Sequence, residues 1–586
     1  MKKMKILNKI VSVLALIGMV SCNSELDEVP FSTLTPENVF NTVEDVESAT
    51  VGMYIGLLDP NTWRILYPVH GFGTMGTDEW SCNANNSGEQ SLFSRYTLTS
   101  ASSLVKGHWT AIYKVINRAN IVIALTPNID ASQEVINRYL AEAHFMRAFN
   151  YMELATFYGG VPLNLEPTTG ISSDLGIARS TEDETWDQII SDFEFAEQYL
   201  PEIQISGRAT KWAAKGLLAK AYMARGGATT TANYTDPIWF EKAANKAYEV
   251  ISKSGIVLNP TTPGDPMAFA QYGKQFLVSG SNSQESIFEI QFTEGPNGSG
   301  WGYRGLQGGR RFDTGLAGSF YSLWGGTSLS SDFALSFDDS DIRFKWSIGP
   351  YGLNGASART KKWVRQWTPN KQRWENIPGT SWGSENNAIV LRMADIYLLY
   401  AEASNEVSGN PNSSTFGMSA YDAINTVRNR AQVTQLDDTY IMTDSPYTTV
   451  DLLDGISMES FDKTNANYNG RHVYYTGSLK DRFRAAVLKE RSWELCFEKQ
   501  RWFDLKRTGN LVRVASNASQ IDRGRLTDAA LADPVDKSDF LDLPVATRTH
   551  QWLPNGIQSH NIYLPIPNVE IQLNPKLNTA DQNTGY

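Results

Sequence analysis

The 586-residue chain contains one stretch, residues 488–509, in which carboxylates recur at a spacing that could serve acid–base chemistry. Three glutamates stand four residues apart and would share one face of a helix: Glu490, Glu494 and Glu498. Hydrolysis of a glycosidic bond requires two carboxyl groups that face the sugar across a cleft, one of them with a pKa raised by apolar surroundings. In a helix, however, each glutamate would have an arginine, Arg491 or Arg501, within reach, and that pairing would lower the carboxyl pKa. The spacing therefore favours structural ion pairs and leaves a surface glycoside hydrolase as the weak alternative.

No other spacing in the sequence predicts a catalytic, metal or nucleotide site. The histidines never form the H-E-x-x-H pattern of a zinc site, and the cysteines never form C-x-x-C. The acidic run 338–341 lacks the glycine and glutamate positions of an EF-hand, so we expect a solvated turn rather than a calcium site. The glycine-rich run 300–310 does not open a helix after a strand, which argues against a nucleotide loop. We therefore predict no catalytic residue, no bound metal and no cofactor.

Aromatic residues concentrate in two long segments that helix packing does not explain, and we call these segments the aromatic loops. The first is 61–86, and the second is the insertion 256–384, which holds seven of the chain's 16 tryptophans. Sugars pack their C–H faces on indole rings, while their hydroxyls bond to amides, carboxylates and guanidinium groups. The predicted ligand-binding residues combine these types: Trp63, Trp80 and Asn83 in the first loop, and Trp301, Tyr303, Arg310 and Trp324 in the second. The alternative is that these rings anchor long loops on the protein body.

Most of the remaining chain has the periodicity of helices. These predicted helices are the elements that must position the aromatic loops. Helices are predicted at 36–54, 104–125, 133–158, 181–199, 209–225, 239–254, 387–407, 419–432 and 488–509. The helix 133–158 is apolar around most of its circumference, so we expect it to be packed between neighbours. Two successive pairs, beginning at 209 and at 387, fit the small-and-large pattern of tetratricopeptide (TPR) hairpins. Strands are predicted at 286–292 and within 561–577.

The predicted fold class is mainly α: a TPR-like helical-hairpin scaffold with large irregular loop insertions and little β structure. The scaffold domain is predicted to span 36–586, with the ligand-binding insertion at about 256–384 and a second irregular insertion at 434–475. Cys496, within the charged stretch, is expected to be a small buried residue. Six tryptophans on predicted helices are expected to lie in the core: Trp109, Trp186, Trp212, Trp239, Trp493 and Trp502.

The N-terminal 21 residues have the layout of a secretory signal, with four lysines, an apolar run at 10–20 and a serine directly before Cys22. This layout is similar to a bacterial lipobox, so Cys22 is predicted to carry a lipid anchor, with 22–35 as a tether. An ordinary signal peptide is the alternative. The net charge of −11 becomes more negative once the signal is removed, which argues against nucleic acid as a partner. No other window approaches about 18 uninterrupted apolar residues, so no transmembrane span is predicted.

Six blocks, in order along the chain, resemble the SusD/RagB family of nutrient-binding lipoproteins from the outer membrane of Bacteroidetes. They are 138–163 (RYLAEAHFMRAFNYMELATFYGGVPL), 208–223, 390–407, 424–431, 490–507 (ERSWELCFEKQRWFDLKR) and 564–575 (LPIPNVEIQLNP). The acidic residues that follow Cys22 are also similar to the signal that sends such lipoproteins to the cell surface. The resemblance implies a scaffold of TPR-type hairpins, a ligand surface built from irregular loops, and no catalytic residue.

The resemblance also implies a partner and a location. The partner would be a SusC-like TonB-dependent β-barrel transporter, over which the lipid-anchored protein sits as a lid on the exterior of the outer membrane. The leading hypothesis is capture of an oligosaccharide and its delivery to that transporter. Within the family, a peptide ligand, as in RagB-like members, is the alternative. On this interpretation 488–509 is the closing helix of the scaffold, and the ligand is selected in the aromatic loops.

Overall fold

The computed structural model describes most of the chain beyond its N-terminus. The described residues are 40–64, 73, 76–82, 89–168, 176–203, 207–293, 327–329, 333, 336–338, 340–351, 357–360, 366–368, 373–375, 386–444, 451–452, 456–458, 473–520, 524–526, 540–542 and 557–586. The predicted signal 1–21, Cys22 and the predicted tether 22–35 lie outside these residues.

Most of the described chain is helical. The first eight helices are α1 (Val43–Gly56), α2 (Glu89–Ser94), α3 (Ser103–Leu125), α4 (Gln133–Tyr158), α5 (Glu182–Tyr199), α6 (Lys211–Arg225), α7 (Ile238–Lys253) and α8 (Ala268–Gly273). The later helices are α9 (Ile342–Ser347), α10 (Met393–Ser408), α11 (Ala420–Arg430), α12 (Asp438–Met442), α13 (Leu479–Glu494), α14 (Arg501–Arg507), α15 (Leu511–Gln520) and α16 (Asn568–Leu573).

The described strands are short and form small antiparallel sheets. They are β1 (Trp80–Cys82), β2 (Ser286–Ile290), β3 (Thr327–Leu329), β4 (Ile348–Tyr351), β5 (Ser357–Thr360), β6 (Gln366–Thr368), β7 (Arg373–Glu375), β8 (Ala388–Arg392), β9 (Asp451–Leu452), β10 (Ile456–Met458), β11 (Val473–Tyr475), β12 (Gly524–Leu526) and β13 (Phe540–Asp542). The paired strands are β1 with β3, β2 with β8, β4 with β5, β6 with β7, β10 with both β9 and β11, and β12 with β13. The predicted mainly α fold with little β structure is confirmed.

Helix α4 is buried around most of its circumference because α1, α3 and α5 all pack against it. Its polar residues are satisfied internally: the Arg147 guanidinium donates two hydrogen bonds of 2.8 Å to Asp192 on α5. Burial would raise the pKa of Asp192, but the bonds from Arg147 and His144 outweigh burial and lower it. The prediction of a helix packed between neighbours is therefore confirmed, and its bounds at 133 and 158 are the predicted ones.

Successive helices pack against each other as helical hairpins, as in TPR-like repeats. Contacts join α6 to α7, α7 to α10 and α10 to α11, so the two predicted hairpins stack directly on each other. Ala243 and Ala247 on α7 are buried, and these small residues allow the helices to approach closely. On α6, a side chain at Gly216 would lie 2.5 Å from Leu391, so glycine is required where this helix crosses β8.

Three sequence-based assignments of secondary structure are wrong. The residues predicted to begin the helix at 387 instead form β8, which pairs with β2, and the helix begins only at Met393. The predicted strand within 561–577 is replaced by a short 3-10 turn and α16, which begins after Pro567. The charged stretch 488–509 is two helices, α13 and α14, separated by a turn in which Phe497 and Lys499 have φ angles of 61° and 64°. Left-handed backbone at two such residues cannot belong to an α-helix.

One continuous hydrophobic core runs through the helices and includes part of the second aromatic loop. Trp346 of α9 is fully buried, and a side chain at Gly273 of α8 would lie 1.8 Å from its indole ring. Because Gly273 also lies in the insertion, this contact packs the insertion against itself, and the burial of Trp346 in the core assigns this ring to packing, which was the alternative interpretation of the aromatic residues. Cys496 is buried, as expected. Of the six tryptophans expected in the core, Trp239 is only partly buried, and the other five are buried: Trp109, Trp186, Trp212, Trp493 and Trp502.

Within the described part of the chain, no helix has the length and apolar character needed to cross a membrane.

Candidate functional site

The described backbone brings the two aromatic loops together. Strand β1, which begins at Trp80, lies in the first loop and pairs with β3 of the second loop, so that Trp80 stands opposite Leu329 and Cys82 opposite Thr327. Trp63 lies in a single helical turn at Pro60–Arg64. The other predicted ligand-binding residues lie outside the described residues: Asn83, Trp301, Tyr303, Arg310 and Trp324.

Strands from four separate parts of the sequence meet at this place. Besides the β1–β3 pair, β5 contacts both β3 and β12, and β12 pairs with β13 near the C-terminus. These four strands, β1, β3, β5 and β12, belong to three small sheets that contact one another, and we call them the loop strands. The contribution of β12 was missed by the sequence analysis because a three-residue strand leaves no alternating pattern to detect.

A buried ion pair fixes the first aromatic loop to the scaffold. Asp78, two residues before Trp80, accepts hydrogen bonds of 2.7 Å and 2.8 Å from Nε and Nη2 of Arg501 on α14. Both side chains are almost completely buried. Burial would raise the pKa of Asp78, but the Arg501 guanidinium outweighs burial and lowers it, so the carboxylate stays ionised.

The turn between α13 and α14 supports the same loop through backbone groups. Glu79, next to Trp80, accepts a hydrogen bond of 3.1 Å from the backbone N–H of Phe497. The backbone N–H of Trp502 donates to the carbonyl of Gly73 at 3.1 Å. Gly73 has a φ of +104° and a side chain there would lie 2.3 Å from Lys499, so only glycine fits against this turn. The charged stretch therefore positions the first aromatic loop.

The three glutamates of the charged stretch lie in a buried network of ion pairs. Glu490 receives bonds of 2.6 Å from both Arg343 and Arg428. Glu494 is bonded by three arginines: Arg343 at 3.0 Å, Arg392 at 2.5 Å, and Arg430. Glu498 is bonded to Arg392 at 2.8 Å. Since Glu490 and Glu494 are 0% exposed and Glu498 is 2% exposed, these carboxylates do not face a cleft in which a sugar could bind.

The structural role predicted for these charges is confirmed, but the predicted partners within one helix are wrong. Arg491 pairs with Asp395 at 2.7 Å and with Asp504 at 2.8 Å, and Arg501 pairs with Asp78. The break after α13 separates Arg501 from Glu498, whereas Arg491 and Glu494 share α13 and still take partners on other elements, where the buried carboxylates of Asp395 and Asp504 lie closer to Arg491. Burial would lower the pKa of Arg491, but Asp504 and Asp395 outweigh burial and raise it.

The same network ties the second aromatic loop to the scaffold through α9. Arg343 of α9 bonds to Asp341 at 2.8 Å in addition to the glutamates of α13. Asp341 is 2% exposed, so the prediction that the acidic run 338–341 is entirely a solvated turn is wrong at this residue. Burial raises the pKa of Asp341 by more than Arg343 lowers it. Among the described residues, no group of three histidine, cysteine or acidic side chains has the arrangement of a metal site.

The fold and the site together define a helical-repeat protein in which a buried ion network holds loops from distant parts of the chain, whose short strands contact one another. Comparison with known proteins gives the same class. A family model described as "SusD family" matches residues 284–586, and one described as "Starch-binding associating with outer membrane" matches residues 26–223. The chain belongs to the SusD family.

Relatives and solved structures are similar along nearly the whole chain. SusD-like protein P25 of Formosa agariphila is 26% identical over 100% of both chains, and a SusD-like protein of Bacteroides ovatus is 24% identical over 97% of this chain and 96% of its own. The crystal structure of a SusD homolog from Bacteroides thetaiotaomicron has a TM-score of 0.68 at 22% identity, covering 94% of this chain and 98% of its own. A laminarin-binding SusD-like protein has a TM-score of 0.64 at 20% identity, covering 93% and 100%. A structure with xylogluco-oligosaccharide has a TM-score of 0.66 at 22% identity, covering 91% and 98%.

Proposed function

We propose that this protein is a non-catalytic, cell-surface glycan-binding protein that captures an oligosaccharide and delivers it to a SusC-like TonB-dependent transporter. The observation that carries the proposal is the pairing of β1 with β3, because it joins the two aromatic loops that the sequence singles out. A sugar-binding surface needs ring faces and planar hydrogen-bonding groups that converge from different segments.

In the proposed mechanism, the aromatic loops bind the sugar and the helices keep those loops in place. Trp63, Trp80, Trp301, Tyr303 and Trp324 would stack against sugar faces, while Asn83 and Arg310 would bond to hydroxyls. The buried pair of Asp78 with Arg501 reduces the conformational freedom that the first loop loses on binding. Similar proteins support a saccharide ligand, since one structure contains xylogluco-oligosaccharide and another protein binds laminarin.

The proposed location and partner rest on the N-terminal sequence and the family. Cys22 would carry a lipid anchor, and several acyl chains would make that anchor stable. Residues 22–35 would tether the body to the outer membrane. The family description "Starch-binding associating with outer membrane" supports that location. The transporter would receive the ligand when the lipoprotein closes over it as a lid.

Binding and catalysis can be separated with one set of polysaccharides. We expect affinity electrophoresis to show retardation by at least one of laminarin, xyloglucan and starch, and no new reducing ends after prolonged incubation. Trp80→Ala and Trp301→Ala should abolish the retardation, since loss of one stacked ring costs about 1–3 kcal/mol by analogy with base stacking on aromatic side chains. Trp239→Ala is the matched control, because this half-buried ring lies on α7 of the scaffold, outside the aromatic loops.

Several outcomes would contradict the proposal. Accumulating reducing ends with purified protein would identify a glycoside hydrolase. Retention of peptides but of no polysaccharide would favour the peptide-binding alternative.

For the partner, purification of the native lipoprotein in mild detergent should recover a large β-barrel protein. If no such protein is recovered, the proposed partnership is wrong.

A further inference from the structure

A second candidate binding site lies on the surface of helix α3, outside the aromatic loops. It is an open cleft of about 520 Å³ between α3, the segment 162–168 and α16, and we call it the α3 cleft. That volume falls within the range of small-molecule sites, and it is large enough for two or three sugar units.

Two parallel rows of side chains from α3 line the cleft. Within each row the residues are four apart in sequence, so they lie next to each other on the helix surface. One row carries rings and an amide, and the other carries a hydroxyl and two cations: Trp109, Tyr113 and Asn117 in the first, and Thr110, Lys114 and Arg118 in the second. Because Trp109 is buried, the partly exposed ring of Tyr113 supplies the flat apolar surface, and together with the hydrogen-bonding groups of the second row it gives the composition that the recognition of sugars requires.

Hydrogen bonds between α3 and the segment 162–168 hold one wall of the cleft in place. The Tyr113 hydroxyl donates to the carbonyl of Pro162 at 2.7 Å, and the ring of Trp109 lies 5.0 Å from that of Tyr113. Asn117 bonds twice to the backbone of Thr168, at 2.7 Å and 3.3 Å. The cleft is therefore formed before any ligand arrives, which lowers the entropy lost on binding.

The opposite wall is built from α16 and is fixed in the same way. The Asn574 amide donates to the carbonyl of Ile177 at 3.0 Å and to Glu570 at 3.2 Å. Glu570 thus keeps one carboxylate oxygen for a further bond, and it faces the cleft that the cation row of α3 lines.

The charges in the cation row have no acidic partner in the described part of the chain. Among the described residues, no carboxylate lies within 4.0 Å of Lys114 or Arg118, and the described bond of Arg118 is to the backbone carbonyl of Gly52 at 2.8 Å. Two cations four residues apart on a helix repel each other. The chain has 63 acidic and 52 basic residues. The two neighbouring cations, Lys114 and Arg118, therefore do not result from a general excess of positive charge.

We propose that the α3 cleft binds an acidic saccharide, one that carries a uronate or sulfate group. Lys114 and Arg118 would bind the anionic group, the exposed part of Tyr113 would contact the sugar face, and Thr110 and Glu570 would bond to hydroxyls. The inference rests on the proposed glycan-binding function and extends it to a second site and to the charge of the ligand.

The test measures binding of defined oligosaccharides by isothermal titration calorimetry. The acidic probes are trigalacturonate, trimannuronate and a chondroitin sulfate disaccharide, and the neutral probe is maltotriose. We expect at least one acidic probe to bind, with an affinity that falls as sodium chloride rises from about 50 mM to about 500 mM. Lys114→Glu should weaken that binding roughly tenfold or more, because it replaces an attraction with a repulsion. Lys106→Ala is the matched control, since this exposed lysine lies on the same helix but does not line the cleft.

Failure of this inference can be distinguished from failure of the proposed function. If no acidic probe binds up to about 10 mM, or if Lys114→Glu binds as tightly as the wild type, the α3 cleft is not an acidic-saccharide site. Retardation by neutral polysaccharides that depends on Trp80 would still support the proposed function in that case. Vesicles of phosphatidylglycerol that bind through Lys114 when no saccharide does would show that the cleft recognises lipid phosphate, which would also overturn the inference.

Discussion

Glu494 is the residue at which three guanidinium groups meet in the interior of the protein. Arg343 comes from the second aromatic loop, Arg392 from the end of β8, and Arg430 from the end of α11. One carboxylate therefore connects three elements that are far apart in sequence. Charges in such a place are stable only while each retains its partners.

We predict that Glu494→Ala lowers the stability of the protein and leaves its ligand specificity unchanged. Removal of the carboxylate leaves uncompensated buried cations, which costs about 3–5 kcal/mol. Thermal unfolding followed by circular dichroism should show a clear drop in Tm. An unchanged Tm together with lost glycan binding would contradict the structural assignment of this residue.

His108 makes the stability of the protein depend on pH. It is buried on α3, with Nδ1 at 3.1 Å from the Tyr158 hydroxyl, and burial lowers its pKa well below the ordinary value of 6.5. A folded-state pKa below the unfolded value means that the unfolded chain takes up the proton first. The contribution of His108 is therefore present above pH 6.5 and is lost as the pH falls below it.

We predict that the unfolding free energy of the His108→Gln variant depends less on pH below 6.5 than that of the wild type. Between about pH 6.5 and 5, a single such histidine removes up to ~1.4 kcal/mol of unfolding free energy per pH unit. Urea unfolding of the wild type and of the variant should give free energies that converge as the pH falls through this range. Parallel profiles for the two proteins would show that His108 does not titrate as proposed.

At the scale of elements, the contact between α8 and α9 packs two helices of the second aromatic loop against each other within the core. We predict that Gly273→Ala destabilises the protein by about 1–3 kcal/mol, because the added methyl group meets the buried ring of Trp346. Gly52→Ala on α1 is the matched control: nothing lies within 4 Å of a side chain at that helical position, so it should stabilise by about 0.4–1 kcal/mol. Equal unfolding free energies for the two variants would contradict the proposed contact.

The turn between α13 and α14 is the element that links the scaffold to the first aromatic loop. We predict that Asp78→Asn and Asp504→Asn both lower stability, since each carboxylate is buried and bonded to arginine. Only Asp78→Asn should also weaken glycan binding, because Asp504 pairs within the scaffold and does not support the loop. Calorimetric Kd values at a temperature where both variants are folded would check this. Equal losses of affinity would show that the ion pair has no specific role in positioning the loop.

Elements bounded by local sequence signals could be predicted from the sequence, and those defined by tertiary contacts could not. Helix α4 has the predicted bounds because its 26 residues contain no glycine or proline and a glycine follows directly. The break after Glu494 carries no glycine or proline signal, since it depends on left-handed Phe497 and Lys499 held by the loop that packs against them. Likewise, β8 is extended because β2 pairs with it, although its apolar residues also fit a helix.

The sequence predicts a saccharide surface from the aromatic and planar polar residues of its long loops, and this remains a prediction. Nothing in the sequence indicates how the loops assemble, with Trp80 opposite Leu329 and β12 in contact with β5. The α3 cleft was also missed: Trp109 was assigned to the core from its helix, and it is buried there, but its neighbours Tyr113 and Lys114 line an open cleft. The same residue type contributes to packing where another element covers it and can contribute to binding where it stays exposed.

At the scale of the whole molecule, the structure separates two tasks. The helices and the buried ion network hold the fold together, and the loop strands and the α3 cleft present the surfaces at which a ligand is proposed to bind.

The most direct test of this separation measures Tm and glycan Kd on the same preparations of Trp80→Ala and Glu494→Ala. The account predicts that Trp80→Ala loses affinity with little change in Tm, and that Glu494→Ala loses Tm and keeps its affinity at a temperature where it is folded. The opposite pattern, with affinity lost in Glu494→Ala and retained in Trp80→Ala, would contradict it.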